Sequence, residues 1–152
     1  MSPNRARIAL RTIGALALLA AAFGLWYNAV TFSTVYSDAS IESTVAEPIP
    51  YFRQAFYLMS AICILCFVAL AWCGVQFLRL SSIWWWLFAL IGVVEVLFVP
   101  IVGRLWLHSE LGMSIGAASG LASGGLVPQL IVLFPIWAPL VVWFAHKSLR
   151  AS

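Results

Sequence analysis

IGALALLAAAFGLWYNAV, Ile13 to Val30, contains no charged residue, and its order of small and bulky side chains sets the reading of the whole chain. At about 100° per residue, Gly14, Ala17, Ala21, Gly24 and Asn28 fall on one narrow helical face, while Leu16, Leu19, Phe23, Trp26 and Val30 fall opposite. A helix on a water-soluble fold divides apolar from polar; this one divides small from bulky. In lipid no hydrophobic force drives helices together, so association depends on close backbone approach, which small residues permit. The spacing therefore predicts a helix with its small face turned to neighbouring helices and its bulky face turned to lipid.

The same logic extends along the chain. Of 152 residues, 64% are hydrophobic and 9% charged, against about 45–50% and about 25% in soluble proteins. No Asp, Glu, Lys or Arg occurs from Thr12 to Ser37, from Gln54 to Leu78 or from Leu111 to His146, and only Glu95 interrupts Leu80 to Gly103. Each gap accommodates a span of roughly 20 residues. The expected fold class is all-α: an integral membrane bundle of four transmembrane helices near 8–30, 52–78, 83–103 and 128–146, with an external loop at 31–51 and an external glycine-rich segment at 104–127. The apolar run of the first span exceeds the roughly 7–15 residues of a signal-peptide core, so it is read as a retained helix.

Orientation follows from basic residues, which favour the cytoplasmic side of short loops. Arg5, Arg7, Arg11, Arg79, Lys147 and Arg150 fall on one side of the four-span arrangement; Arg53 and Arg104 fall on the other with Asp38, Glu42, Glu47 and Glu110. Both termini are expected in the cytoplasm of a bacterial inner membrane. Trp84, Trp85 and Trp86 suit a membrane interface, with Trp26, Tyr27, Tyr51, Phe52 and Trp106 as the opposite aromatic belt.

Glycine recurs at every fourth position in Gly112, Gly116, Gly120 and Gly124. Ser114, Ala117, Ala118, Ser119, Ala122 and Ser123 fill the intervals, so a helix here would be small on nearly every side, and each glycine costs about 1 kcal/mol relative to alanine. Three readings stay open: a short helix or re-entrant segment on the outer mouth of the bundle, a flexible loop, or a fifth span or dimer face.

Glu95 lies near the expected bilayer centre, where a carboxylate marks an ion path, a proton site or a buried pair. Gly92 shares its face, and Pro100 loosens the backbone bonding beyond it. Pro135 and Pro139 are expected to bend the fourth span, since each removes an internal hydrogen bond. Arg53, Arg104, His108 and Glu110 gather at the outer mouth as a polar cluster. Cys63, Cys66 and Cys73 sit inside the second span, where no cation would stabilise a thiolate, and read as packing residues. His108 and His146 fall on opposite sides, which excludes a haem held by both in one chain.

No hydrolase, metalloprotease, phosphate-loop or dinucleotide motif is present, and no basic patch interleaved with aromatics serves nucleic acid. No catalytic residue, metal or cofactor is assigned. The pattern leads us to expect a non-catalytic accessory subunit or scaffold in contact with lipids and with other membrane subunits or copies of itself. Two alternatives remain at this level: a small transporter or proton-linked permeability factor working through Glu95, and a lipid or quinone binder.

Overall fold

The computed structural model describes residues 2–37, 52–98 and 133–151. These residues are all helical apart from short turns: α1 spans Pro3–Ser37, α2 Phe52–Leu78, α3 Trp85–Val93 and α4 Phe134–Arg150, and a π-helical turn, Val94–Phe98, continues α3. The expected external glycine-rich segment at 104–127, with Gly112, Gly116, Gly120 and Gly124, and the first residues of the expected fourth span, 128–132, lie outside the described residues.

Three boundaries differ from the sequence reading. Helix α1 runs through Ser37, so the first seven residues assigned to the external loop are helical; after Gly24 the sequence offers no glycine or proline until Pro48 to interrupt the ladder. The expected third span begins only at Trp85, after a turn at 83–84, and changes to π geometry at Val94. The fourth begins at Phe134, after Leu133, and continues beyond His146 to Arg150. Helix α2 covers Phe52–Leu78.

Helix α2 is terminated by a paired hydrogen-bond motif: Ser81 N–H donates to Gln76 C=O (2.9 Å) and Leu80 N–H to Phe77 C=O (2.9 Å). That geometry places the residue between them in the left-handed region, and Leu80 adopts φ 63°. A leucine there costs about 1–2 kcal/mol, offset by its side chain packing against the core. The result is a tight reversal between α2 and α3.

Helices α1 and α2 are antiparallel. Carbon added at Gly14 would meet the Gly74 carbonyl oxygen at 2.8 Å and the Leu78 nitrogen at 3.1 Å; carbon added at Gly24, ten residues on, would overlap the Phe67 ring. The approach is reciprocal, since an added carbon at Gly74 would meet the Gly14 oxygen at 2.9 Å. Backbone thus lies on backbone. Helix α4 packs on α1 and α3, and α2 on α3, so the four helices touch as a ring of neighbours.

The core follows the small face of α1. Ala6, Leu10, Ile13, Ala17 and Ala21 are buried with Leu70, Cys73 and Phe77 of α2, Phe88 and Ile91 of α3, and Ala138, Val142 and Ala145 of α4. An aromatic chain crosses it edge to face: Phe77 to Phe88 at 5.3 Å, Phe88 to Phe134 at 6.0 Å and Phe134 to Trp137 at 5.3 Å between ring centroids. Such pairs add about 0.5–1.5 kcal/mol each beyond their area, and these join α2, α3 and α4. The opposite face of α1 is open: Ala17 is 0% exposed and Phe23 65%.

Two helical stretches, Pro3–Val30 and Ala61–Leu78, are long and apolar enough to cross a membrane, and only 33% and 22% of their apolar windows is buried. A core helix of a water-soluble fold would be mostly covered.

The Gly14–Gly74 contact gives a direct test. Gly14→Val should destabilise the detergent-solubilised protein by about 1–3 kcal/mol, the cost of overpacking, in denaturant unfolding followed by far-ultraviolet circular dichroism. Thr12→Val, at an exposed position of the same helix, should change it by no more than about 0.5 kcal/mol. Equal effects at the two sites would show that the backbones do not meet at Gly14.

Candidate functional site

The most unusual backbone in the described residues is where α3 meets α4. Helix α3 ends with Val94 N–H shared between the carbonyls of Ile91 and Leu90, and the chain widens into the π-helical turn that carries Glu95. Single π turns are rare and often mark functional positions.

Gly92, one turn before Glu95, faces the backbone of α4. A carbon added to it would overlap the Pro135 carbonyl oxygen and lie 3.4 Å from the Pro135 carbonyl carbon. That oxygen is chemically distinctive. Its α-helical donor would be the N–H of residue 139, and residue 139 is a proline inside the helix. The missing donor therefore leaves the Pro135 oxygen without its usual partner, on the side of α4 that α3 covers with a hydrogen only.

Pro135 itself corrects an expectation. It occupies the first turn of α4, with Leu133 as N-cap, and Ile136 N–H and Trp137 N–H both donate to the Leu133 carbonyl (2.9 and 3.1 Å). The first-turn N–H groups have no intrahelical acceptor, so proline removes nothing there. Of the two prolines, Pro139 alone interrupts the ladder.

A second link joins the other end of the same helices. Ser82 Oγ lies 2.8 Å from His146 Nδ1, with donor and acceptor set by the imidazole tautomer, and the His146 ring lies 6.4 Å from that of Trp85. This ties the α2–α3 reversal to the last turns of α4. On α1, Asn28 Nδ2 donates to the Gly24 carbonyl at 2.8 Å, so the amide on the small face is satisfied within its own helix.

The other sequence-selected residues divide as follows. Gly14, Ala17, Ala21 and Gly24 are buried in α1 and Gly92 is buried in α3. Cys73 is in the core, while Cys63 and Cys66 are half-buried on α2. Arg53 is in the first turn of α2. Pro100, Arg104, His108 and Glu110, which complete the kink and the outer polar cluster, lie outside the described residues. Gly74 and Ser82 escaped the sequence reading. Nothing in the sequence pairs Gly74 with Gly14 or marks Ser82.

Among the described residues no group of three or more His, Cys, Asp or Glu is arranged to hold a metal. What the arrangement offers is a helix-to-helix backbone contact, a carbonyl deprived of its α-helical donor, and a carboxyl residue in a π turn three residues from that contact. Comparison of the chain with protein-family models, with curated proteins and with solved structures finds no match in any of the three.

Gly92→Ala should separate α3 from α4 and lower stability by about 1–3 kcal/mol, read by the same unfolding assay. Val93→Ala, at an exposed neighbouring position, serves as the control and should cost less. A neutral Gly92→Ala would mean that α3 does not approach Pro135.

Proposed function

We propose that this chain is a multi-pass protein of the cell membrane, with four spans and both ends cytoplasmic, which acts without catalysis as a subunit packing against partner membrane proteins or copies of itself. The observation that carries the reading is the apolar exterior of every helix. Leu19 and Phe23 of α1, Leu65 and Val68 of α2, Leu90 and Val93 of α3 and Leu140 and Phe144 of α4 are each 53% to 68% exposed. Surface of this kind costs about 25 cal/mol per Å² in water. Lipid or protein must cover it.

A feature of α1 favours protein over lipid for part of that exterior. Ala15, Ala22 and Ala29 are exposed at seven-residue spacing, which makes a flat strip beside the bulky Leu19, Phe23 and Trp26. Another helix can approach along such a strip closely enough for van der Waals packing to drive association. Native mass spectrometry of protein extracted gently from its own membrane should therefore record a stoichiometric partner or a homo-oligomer, lost in the Ala15→Leu/Ala22→Leu variant. A strictly monomeric wild-type chain would end this reading.

A second reading rests on the π turn. Glu95 is the one acidic residue between Leu80 and Gly103, and a carboxylate in the middle of an apolar span has the chemistry of a proton site. It predicts that Glu95→Gln abolishes a pH-dependent flux in reconstituted vesicles while circular dichroism is unchanged. Under the packing reading no such flux exists in the wild type, and Glu95→Gln affects assembly alone.

A further inference from the structure

Among the described residues, one end of the four helices carries only positive charge. Because Gly14 lies against Gly74 and Leu78, and Ser82 against His146, the start of α1, the α2–α3 reversal and the last turn of α4 lie together. Six of the eight Lys and Arg residues fall there: Arg5, Arg7, Arg11, Arg79, Lys147 and Arg150, all exposed. The five acidic residues stand elsewhere in the sequence, at positions 38, 42, 47, 95 and 110, so no carboxylate from the described helices neutralises this end.

Directly beneath the cations is a tier of indoles. Trp72 and Trp84 meet edge to face at 6.0 Å, Trp84 and Trp86 at 6.2 Å, and the Lys147 ammonium stands 5.6 Å from the centre of the Trp143 ring. Trp72, Trp86 and Trp143 are 49%, 51% and 37% exposed. Below them the helix exteriors are aliphatic. Cation, indole and hydrocarbon thus follow one another in the order that phosphate, glycerol and acyl chain follow in a phospholipid. Indoles settle at headgroup depth, and long basic side chains extend from apolar surface toward the charged layer.

We propose that this end binds anionic phospholipid headgroups selectively, holding a shell of anionic lipid around the α2–α3 reversal and the ends of α1 and α4. The proposal rests on the membrane reading above. It goes further in assigning a ligand class: a phosphodiester with one net negative charge and two acyl chains. Six exposed cations with no carboxylate from the described helices among them attract an anion from outside, and the tier of indoles under them matches a lipid rather than a dissolved ion.

The test uses the full chain in vesicles of phosphatidylglycerol and phosphatidylcholine in equal amounts, followed by gentle extraction and native mass spectrometry of retained lipid. Retention of phosphatidylglycerol over phosphatidylcholine by at least about tenfold is expected, given the attraction of each basic residue to an anionic surface. The preference should shrink to about twofold or less in Arg5→Gln/Arg7→Gln/Arg79→Gln, and in wild type when salt is raised to about 0.5 M, which screens exposed charges; the salt arm needs no variant to fold. Equal retention of both lipids, or a preference unmoved by variant and salt, overturns the proposal. Displacement of the lipid by inorganic phosphate would reveal a free-anion site and overturns it too, as would an acidic protein occupying this end in place of lipid. Alkaline carbonate distinguishes the two levels: a chain that stays in the vesicles without lipid preference refutes this inference alone, whereas a chain released from them refutes the membrane reading with it.

Discussion

The backbones of α1 and α2 touch where Gly14 and Gly74 face each other, and this contact sets the geometry of the rest. Without a Cβ on either side the two helices come closer than any other residue pair would permit, and Ala17, Ala21 and Cys73 can be fully covered although they are small. Close approach is the main source of attraction once hydrocarbon surrounds the helices, since burial of apolar area then yields little and dispersion between well-packed surfaces dominates. With α1 and α2 fixed, the tight reversal at Leu80 determines where α3 must start. The Phe77, Phe88 and Phe134 rings then carry the packing from α2 through α3 to α4.

A different compromise governs α3 and α4. Pro139 deprives the Pro135 oxygen of its α-helical donor, and Gly92 lets α3 lie against that oxygen. In a medium without water, irregular backbone persists only where protein covers it. The π turn at Val94–Phe98 and the proline-interrupted start of α4 are neighbours of this kind. The two irregularities face one another, and the residue in the turn, Glu95, is the single acidic residue between Leu80 and Gly103.

The exterior divides by depth. Aliphatic and aromatic side chains clothe the helices along their length, indoles gather near the α2–α3 reversal, and six cations lie beyond them. Nothing in the apolar interior discriminates among chemical ligands; it discriminates among shapes. Charge among the described residues is concentrated at one end, next to the indoles.

Much was legible in the sequence. The all-helical character, the ends of α2 and the small face of α1 can be read from charge-free length and from the three-and-four spacing of Gly14, Ala17, Ala21 and Gly24, because helical period and side-chain volume are local properties. Helix ends were less legible: α1 continues to Ser37 for want of a breaker, and Pro135 belongs to a first turn, since a boundary depends on which neighbours cover the backbone groups. Gly74 as the partner of Gly14, Ser82 as the partner of His146 and the Pro135 carbonyl under Gly92 became visible only in the tertiary structure. Each is a meeting of residues far apart in the chain. Local sequence determines what each helix can present, and only the packed arrangement determines which faces meet, because close approach is a joint property of two surfaces.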